Sequence, residues 1–193
     1  MMTNNLYNDT FFKFRIGADF QKSFGYQLGA YLSINSIIDF GCGLGRYLEG
    51  FKDVGVSIKG FDYAFQFSKK YTAKSILPFI EFGDVTQPID VAPADCSMSI
   101  EVAEHIDPRG SQQFVQNLCL HSLKYILLTA APPGQTGDGH INCQPQSYWI
   151  SLIENFGFIF LKKETDQLKE LSRPVKNMRW WITKNLMFFE KST

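Results

Sequence analysis

The sequence lacks the marks of several large classes of protein. It contains no run of 18 or more apolar residues, so it predicts no membrane-spanning segment. Its start, MMTNNLYNDTFFKFRIG, has neither the apolar stretch nor the small-residue cleavage site of a secretory signal. No CxxC pair joins its four cysteines, which argues against a zinc knuckle or a disulfide framework and predicts a reducing, cytoplasmic location.

An excess of charge of either sign is also lacking. The 19 basic side chains balance the 19 acidic ones, so there is no general electrostatic attraction to nucleic acid or to a membrane surface. What the sequence does have is apolar: 45% of its 193 residues, with 18 phenylalanines among them. This length and composition predict one globular domain with an aromatic-rich core.

Short β-like runs alternate with helix-like runs along the chain. Strands are predicted over residues 34–40, 56–63, 78–85, 96–102, 124–131, 158–163 and 185–191. Helices are predicted over residues 46–53, 65–75, 111–123 and 145–157, and a polar, basic stretch fills 164–184. Such alternation predicts an α/β fold with a mostly parallel sheet and helices on both faces.

A glycine-rich turn follows the first predicted strand, in IIDFGCGLGRY (residues 37–47). Glycine weakens strand and helix interiors, so Gly41, Gly43 and Gly45 indicate a backbone that must approach a ligand closely. Ligands of such sheets bind at the carboxyl ends of the strands. The spacing is G-x-G-x-G, with Arg46 where a dinucleotide fingerprint has its third glycine, which disfavours a dehydrogenase.

Carboxylates accompany the ends of the first three strands. Asp39 lies just before the glycines, Asp62 closes the second strand and Asp84 closes the third. An ionised carboxylate accepts hydrogen bonds from ribose hydroxyls or an adenine amine. Each one has an alternative reading as a helix cap or a solvated charge, but their occurrence in series favours a ligand.

Four stretches in this order, IIDFGCGLGRY, GFDY, FGDV and SIEVAEHI, resemble class I S-adenosylmethionine-dependent methyltransferases, especially the small branch that includes quinone-biosynthesis enzymes. The resemblance covers residues 36–133. It implies a Rossmann-like, doubly wound, seven-stranded sheet whose last strand is antiparallel, in a single domain over 1–193. Residues 1–33 would form a helical lid, 34–133 the cofactor-binding core, and 134–193 the acceptor-side loops and final strands.

The resemblance also assigns cofactor contacts. Asp39 would face the amino group of S-adenosylmethionine, Asp62 the ribose hydroxyls and Asp84 the adenine amine. The other residues would line the methionine moiety or the adenine. The full set of implied contacts is Asp39, Gly41, Cys42, Gly43, Gly45, Asp62, Tyr63, Asp84, Val85, Ile100 and Glu101.

Two histidines lie on the ligand side of the predicted sheet. His105 follows the fourth strand, and His140 lies in the loop GQTGDGHIN after the fifth. An imidazole titrates near neutrality, so either could serve as general base toward a hydroxyl acceptor. The alternative for each is a structural loop histidine. With Glu101 and Glu104 they could also form a hard-metal site, but metal-free members of the family carry the same E-V-x-E-H pattern, so we predict no metal.

The acceptor side is harder to assign. HINCQPQSYWI resembles a stretch of small methyltransferases, which implies acceptor-binding roles for Asn142, Tyr148 and Trp149; Trp149 could instead pack a helix on the sheet. Trp180 and Trp181 lie in the basic stretch, where they could bind an acceptor or be buried. The predicted function is methyl transfer from S-adenosylmethionine to a small-molecule oxygen nucleophile. A nucleic-acid methyltransferase and a non-catalytic cofactor-binding protein are the alternatives.

Overall fold

The computed structural model describes residues 8–13, 16–17 and 19–192. The rest of the predicted N-terminal lid, residues 1–7, 14, 15 and 18, lies outside that range. The strands are β1 (Ser36–Phe40), β2 (Ser57–Asp62), β3 (Ile80–Phe82), β4 (Ala94–Ser99), β5 (Ser122–Leu128), β6 (Phe158–Phe160) and β7 (Met187–Lys191). The helices are α1 (Asp9–Lys13), α2 (Asp19–Tyr31), α3 (Arg46–Asp53), α4 (Phe65–Ser68), α5 (Ser111–Leu120), α6 (Gln146–Glu154), α7 (Lys162–Glu170) and α8 (Trp180–Asn185).

All seven strands form one sheet in the order β3-β2-β1-β4-β5-β7-β6. The pairs from β3 to β5 are parallel, whereas β7 runs antiparallel to both β5 and β6. The order changes direction at β1 and β4, which is where ligands of doubly wound sheets bind. The predicted fold class, including the antiparallel last strand, is confirmed.

Alternate side chains of each strand serve two separate cores. Ile37, Leu127 and Phe188 face one core, which α2, α3, α7 and α8 cover. Their chain neighbours Ile38, Leu128 and Phe189 face the other core, which α5 and α6 cover. Every residue of β4 is buried because this strand lies at the centre of the sheet between the two helical layers.

The three largest differences from the predicted elements are these. The strand predicted over 78–85 extends only over β3, because Pro78 lies in a 3₁₀ turn over Leu77–Phe79. The helix predicted over 65–75 ends at Ser68, where side-chain hydroxyls of Ser68 and Thr72 donate to nearby carbonyls and compete with the helical bonds. The basic stretch forms α7 and α8; α7 buries only Thr165 and Leu168, which is too weak a pattern to read from sequence.

The described N-terminal helices lie close to the glycine turn. A side chain at Gly25 of α2 would collide with the backbone of Tyr47 in α3, so this glycine permits the two helices to pack in direct contact. Among the described residues, no helix combines the length and the hydropathy needed to cross a bilayer.

Candidate cofactor and acceptor site

A cavity of about 1070 Å³ opens at the carboxyl ends of the parallel strands. Sites for drug-sized ligands occupy about 300–1,000 Å³, so this cavity has room for a cofactor and a second molecule. The segments after β1, β2 and β3 line one part of it. The segments after β4 and β5, together with residues 179–184, line the other.

The three glycines after β1 serve three different purposes. All have positive φ, at +88° for Gly41, +56° for Gly43 and +68° for Gly45, a region that other residues rarely adopt. A side chain at Gly41 would collide with Val102, whereas one at Gly43 would meet nothing within 4 Å. Gly43 therefore presents bare backbone to the cavity. Gly45 is not among the residues that line it: a Cβ there would lie 2.6 Å from Ile80, so the absence of a side chain at Gly45 permits close packing against β3.

Asp62 holds the glycine turn in place. One carboxylate oxygen accepts from the N–H of Gly43 at 2.8 Å and the other accepts from the N–H of Ala64 at 2.8 Å. Burial raises the pKa of Asp62, while these two N–H donors act in the opposite direction. A carboxylate has about four acceptor positions, so Asp62 keeps capacity for ligand hydroxyls on the cavity side.

Asp39 is the most strongly buried acid at the strand ends, with 1% of its surface exposed. Its Oδ1 has no hydrogen-bond partner among the described residues. Burial, and secondly the charge of Asp62, raise the pKa of Asp39 well above its ordinary value. A buried acceptor left without a partner costs roughly 1–3 kcal/mol, and a cationic ligand group in the cavity would relieve that cost.

The end of β3 forms a short platform beside the turn. Asp84 accepts from the backbone N–H and the hydroxyl of Thr86, which fixes the loop after it. Asn117 donates to the carbonyl of Val85 and so anchors the same loop to α5. Tyr63 is 38% exposed and lies 5.8 Å from the ring of Phe82. Asp84, Val85 and Tyr63 all line the cavity, as do Cys42 and Ile100.

Strain marks the end of β4. Glu101 has φ of +56°, which is uncommon for a residue with a side chain and often accompanies function. Its N–H donates to Thr129, and its carboxylate accepts from the amide of Asn185 at 3.4 Å. Asn185 also donates to Gln135 at 3.1 Å, so this buried amide links the fourth-strand tip to the loop after β5. Sequence reasoning missed Asn185, because its role depends on a contact across 84 residues.

The two predicted catalytic histidines lie together. The ring centres of His105 and His140 are 5.0 Å apart and the ring planes are nearly perpendicular. One ring nitrogen of each and a carboxylate oxygen of Glu104 lie within 4.8 Å of one another. Glu104 is fully buried, and neither of its oxygens accepts a hydrogen bond from the described residues. Burial, and secondly the neighbouring Glu101, raise the pKa of Glu104 to about 8.

Backbone hydrogen bonds join the two segments that carry these histidines. The N–H groups of Ile141 and Asn142 both donate to the carbonyl of Glu104, at 2.9 and 3.0 Å. The side chain of Asn142 is buried and donates to the hydroxyl of Ser111 at 2.9 Å. Asn142 therefore positions the histidine loop and does not line the cavity, in place of its predicted acceptor contact.

The other two residues predicted to bind the acceptor also lie away from the cavity. Trp149 is fully buried in the α5–α6 core, where it packs edge-on against Phe114 and Tyr148. The alternative reading, in which Trp149 packs a helix on the sheet, matches its position. Tyr148 packs against the same core. Residues 179–184 contribute cavity wall in their place: Arg179, Trp180, Trp181, Ile182 and Lys184. Trp180 is 64% exposed, so the alternative of two buried tryptophans is not met.

Comparison with protein-family models finds no match, and comparison with curated proteins also finds none. Solved structures are similar in fold. The Synechocystis magnesium protoporphyrin IX methyltransferase with bound S-adenosylhomocysteine is 14% identical, with a TM-score of 0.67 over 97% of each chain.

Two further structures give the same result. The sugar N-methyltransferase KedS8 of a Streptoalloteichus species is 12% identical, with a TM-score of 0.66 over 96% of this chain and 92% of that one. The O-methyltransferase of a Brevibacillus brevis trans-AT PKS multienzyme, in complex with S-adenosyl-L-homocysteine, is 14% identical. Its TM-score is 0.61 over 89% of this chain and 72% of that one. The chain therefore shares the fold of these methyltransferases.

Proposed function

We propose that this protein is an S-adenosylmethionine-dependent methyltransferase with a small-molecule acceptor. The observation that carries the proposal is the buried Asp39, whose Oδ1 has no hydrogen-bond partner among the described residues, together with the bare backbone of Gly43. Both line a cavity that Asp62 and Asp84 also line. A cationic amino group matches Asp39, a pair of ribose hydroxyls matches Asp62, and an exocyclic amine matches Asp84. Two structures of the same fold carry S-adenosylhomocysteine, which supports the assignment.

The bound cofactor supplies an activated methyl group on a positively charged sulfur. In the proposed reaction the acceptor oxygen would form a bond to the methyl carbon as the sulfur–carbon bond breaks. The bonding electron pair would stay on sulfur, leaving a neutral thioether, and the hydroxyl proton would leave the acceptor with the help of His105 and His140. The main task of the protein is to hold donor and acceptor in line in a site from which water is excluded.

His105 and His140 lie beyond the predicted methionine-lining residues Ile100 and Glu101, in the other part of the cavity. We assign to this pair the promotion of proton loss from the acceptor. Phe11, Phe12 and Phe20 line the same cavity from the N-terminal helices, which supports the predicted lid. The acceptor would enter between these aromatic side chains and residues 179–184.

Calorimetry on the full chain tests the cofactor. We expect S-adenosylhomocysteine to bind at one site per chain and NAD to produce no binding heat. Binding of NAD instead would indicate a dehydrogenase and overturn the proposal. Transfer of radiolabelled methyl groups then tests the acceptor: label should enter a small-metabolite fraction and not bulk RNA. Cofactor binding without transfer to either pool would favour a regulatory protein, and label in RNA would indicate a nucleic-acid methyltransferase.

A further inference from the structure

We propose, contrary to the metal-free site predicted from the sequence, that Glu104, His105 and His140 bind a divalent transition-metal ion at the acceptor end of the cavity. Three groups able to act as ligands, two imidazoles and one carboxylate, offer donor atoms within 4.8 Å of one another. All three residues line the cavity, so an ion held there would keep open positions for other ligands. Two imidazoles with one carboxylate favour ions such as Fe²⁺, Co²⁺ or Zn²⁺ over Mg²⁺ and Ca²⁺, which prefer oxygen ligands.

The strongest support comes from Glu104. This carboxyl group is 0% exposed, yet neither of its oxygens accepts a hydrogen bond from the described residues. Buried carboxylates are normally paired with a cation or coordinate a metal, because an isolated charge in the interior is costly. No lysine or arginine pairs with Glu104 among the described residues. A bound cation would supply the missing partner.

The histidines are oriented as metal ligands usually are. Nδ1 of His105 lies 3.1 Å from the carbonyl oxygen of Gly139, and Nδ1 of His140 lies 3.1 Å from that of Gln135. A carbonyl oxygen only accepts, so each Nδ1 carries a proton, and in the neutral imidazole Nε2 then carries the lone pair that a metal ion needs. A hydrogen bond from the second ring nitrogen to a carbonyl is the typical support of a metal-binding imidazole.

The arrangement is built by the fold and does not depend on exposed side chains meeting by chance. The carbonyl of Glu104 accepts from the N–H groups of Ile141 and Asn142, which brings the residue before them, His140, next to His105. A side chain at Gly137 would collide with the imidazole of His140, so glycine there makes room for the ring.

The catalytic role of the ion rests on the proposed function, although its binding does not. An ion at this position would bind the acceptor hydroxyl and lower its pKa as a Lewis acid. The acceptor would then bind as the alkoxide, with its proton released to solvent before the site excludes water, and the oxygen would attack the methyl carbon. The histidines would then promote proton loss through the ion instead of receiving the proton themselves. The expected acceptor has a hydroxyl that can bind the metal.

Titration of the metal-stripped full chain with Co²⁺ tests the site. Binding is monitored by calorimetry and by the visible absorption of the ion. We expect one Co²⁺ per chain and no competition from an equal concentration of Mg²⁺. Glu104→Gln, His105→Asn and His140→Asn should each weaken Co²⁺ binding by more than about tenfold. His121→Asn is the matched control, because His121 stacks on Phe40 outside the cavity and its loss should leave Co²⁺ affinity unchanged.

NMR of the Co²⁺-loaded protein and binding of S-adenosylhomocysteine are two further measurements that test the site. The Co²⁺-loaded wild type should show two strongly shifted, exchangeable proton resonances in its NMR spectrum, one from each ligand Nδ1–H, without recourse to any variant. Equal Co²⁺ affinity in wild type and Glu104→Gln, or absence of the shifted resonances, would overturn the site. Binding of S-adenosylhomocysteine is measured on the same samples: if it persists while Co²⁺ fails to bind, the ion site is refuted and the proposed methyltransferase is not.

Discussion

The two parts of the cavity differ in how the chain builds them. On the cofactor side, each predicted residue lies within a few positions of the end of its own strand, and Asp62 reaches the turn across only 19 residues. On the acceptor side, residues 101–105, 135–142 and 179–185 come together through contacts such as Asn185 to Glu101, which spans 84 residues. Local sequence patterns can therefore reveal the first part, whereas only tertiary packing produces the second.

The largest effect is expected for Trp149, in the stretch HINCQPQSYWI, and tests whether this residue belongs to the hydrophobic core or to an acceptor pocket. Trp149→Ala should destabilise the protein by about 3–5 kcal/mol, because it removes a fully buried indole and leaves a cavity. Chemical denaturation followed by circular dichroism measures the loss. Tyr148→Ala, at a half-buried neighbour, is the control and should cost less. Unchanged stability with a loss confined to acceptor binding would restore the predicted pocket role of Trp149.

His140→Ala is expected to have the next largest effect. It should impair the acceptor side of the cavity and leave the cofactor side intact. Turnover should fall by about a hundredfold, since the acceptor proton loses a group that promotes its departure. Affinity for S-adenosylhomocysteine should stay within about twofold, because no predicted cofactor contact involves His140. Steady-state kinetics and calorimetry on one preparation provide both numbers. Equal losses in turnover and affinity would indicate a loop that merely collapsed.

Asp62→Ala should act on the cofactor side alone. We expect affinity for S-adenosylhomocysteine to fall by more than about tenfold, because two ribose hydroxyls lose a charged acceptor and Gly43 loses the bond that holds its backbone in place. Glu81→Ala, at an exposed acid of the neighbouring strand β3 that pairs with Lys59 and does not line the cavity, is the control and should leave the affinity unchanged. An unaltered dissociation constant for Asp62→Ala would end the ribose assignment.

The sequence could place the residues of the proposed cofactor side at one edge of the sheet because each signal was local. Asp62 at the end of β2, Asp84 two residues after β3 and a turn with three glycines are each visible within a few residues, and their places follow from parallel strands meeting at one edge. Gly45 shows the limit even there. Its lack of a side chain was predicted to serve ligand approach, whereas the space that a side chain would need is filled by Ile80, whose position depends on the packing of β3.

The acceptor side could not be predicted with the same success, for two physical reasons. An asparagine that faces a ligand cannot be told apart in the sequence from one that hydrogen-bonds inside the protein. Asn142 is of the second kind and donates to the buried hydroxyl of Ser111. The short helix α8 carries Trp180 with one face to solvent, so no apolar periodicity marks it as cavity wall. The pairing of His105 with His140 depends on backbone hydrogen bonds across the loop, which no local pattern reports.

The smallest expected effect concerns Asp39, whose replacement should raise the stability of the protein and weaken ligand binding. Its pKa is raised in the folded protein, so the folded state holds its proton more tightly than the unfolded state, and stability falls as pH rises from about 4 through the folded-state pKa. Asp39→Asn removes this charge and should stabilise the ligand-free protein at neutral pH by about 1 kcal/mol, which corresponds to about 2–4 °C in melting temperature.

The same substitution should weaken S-adenosylmethionine binding, because the amino group of the ligand loses its carboxylate partner. The gain in melting temperature should shrink as pH falls toward about 4 and disappear well below it, where wild-type Asp39 is protonated in both states. Asp84→Asn is the matched control: Asp84 is half-buried and already bonded to Thr86, so no gain is expected there. If Asp39→Asn lowers both the melting temperature and the affinity, then Asp39 stabilises the fold at the end of β1. Its buried carboxylate would in that case not be a destabilising group kept for binding a cationic ligand.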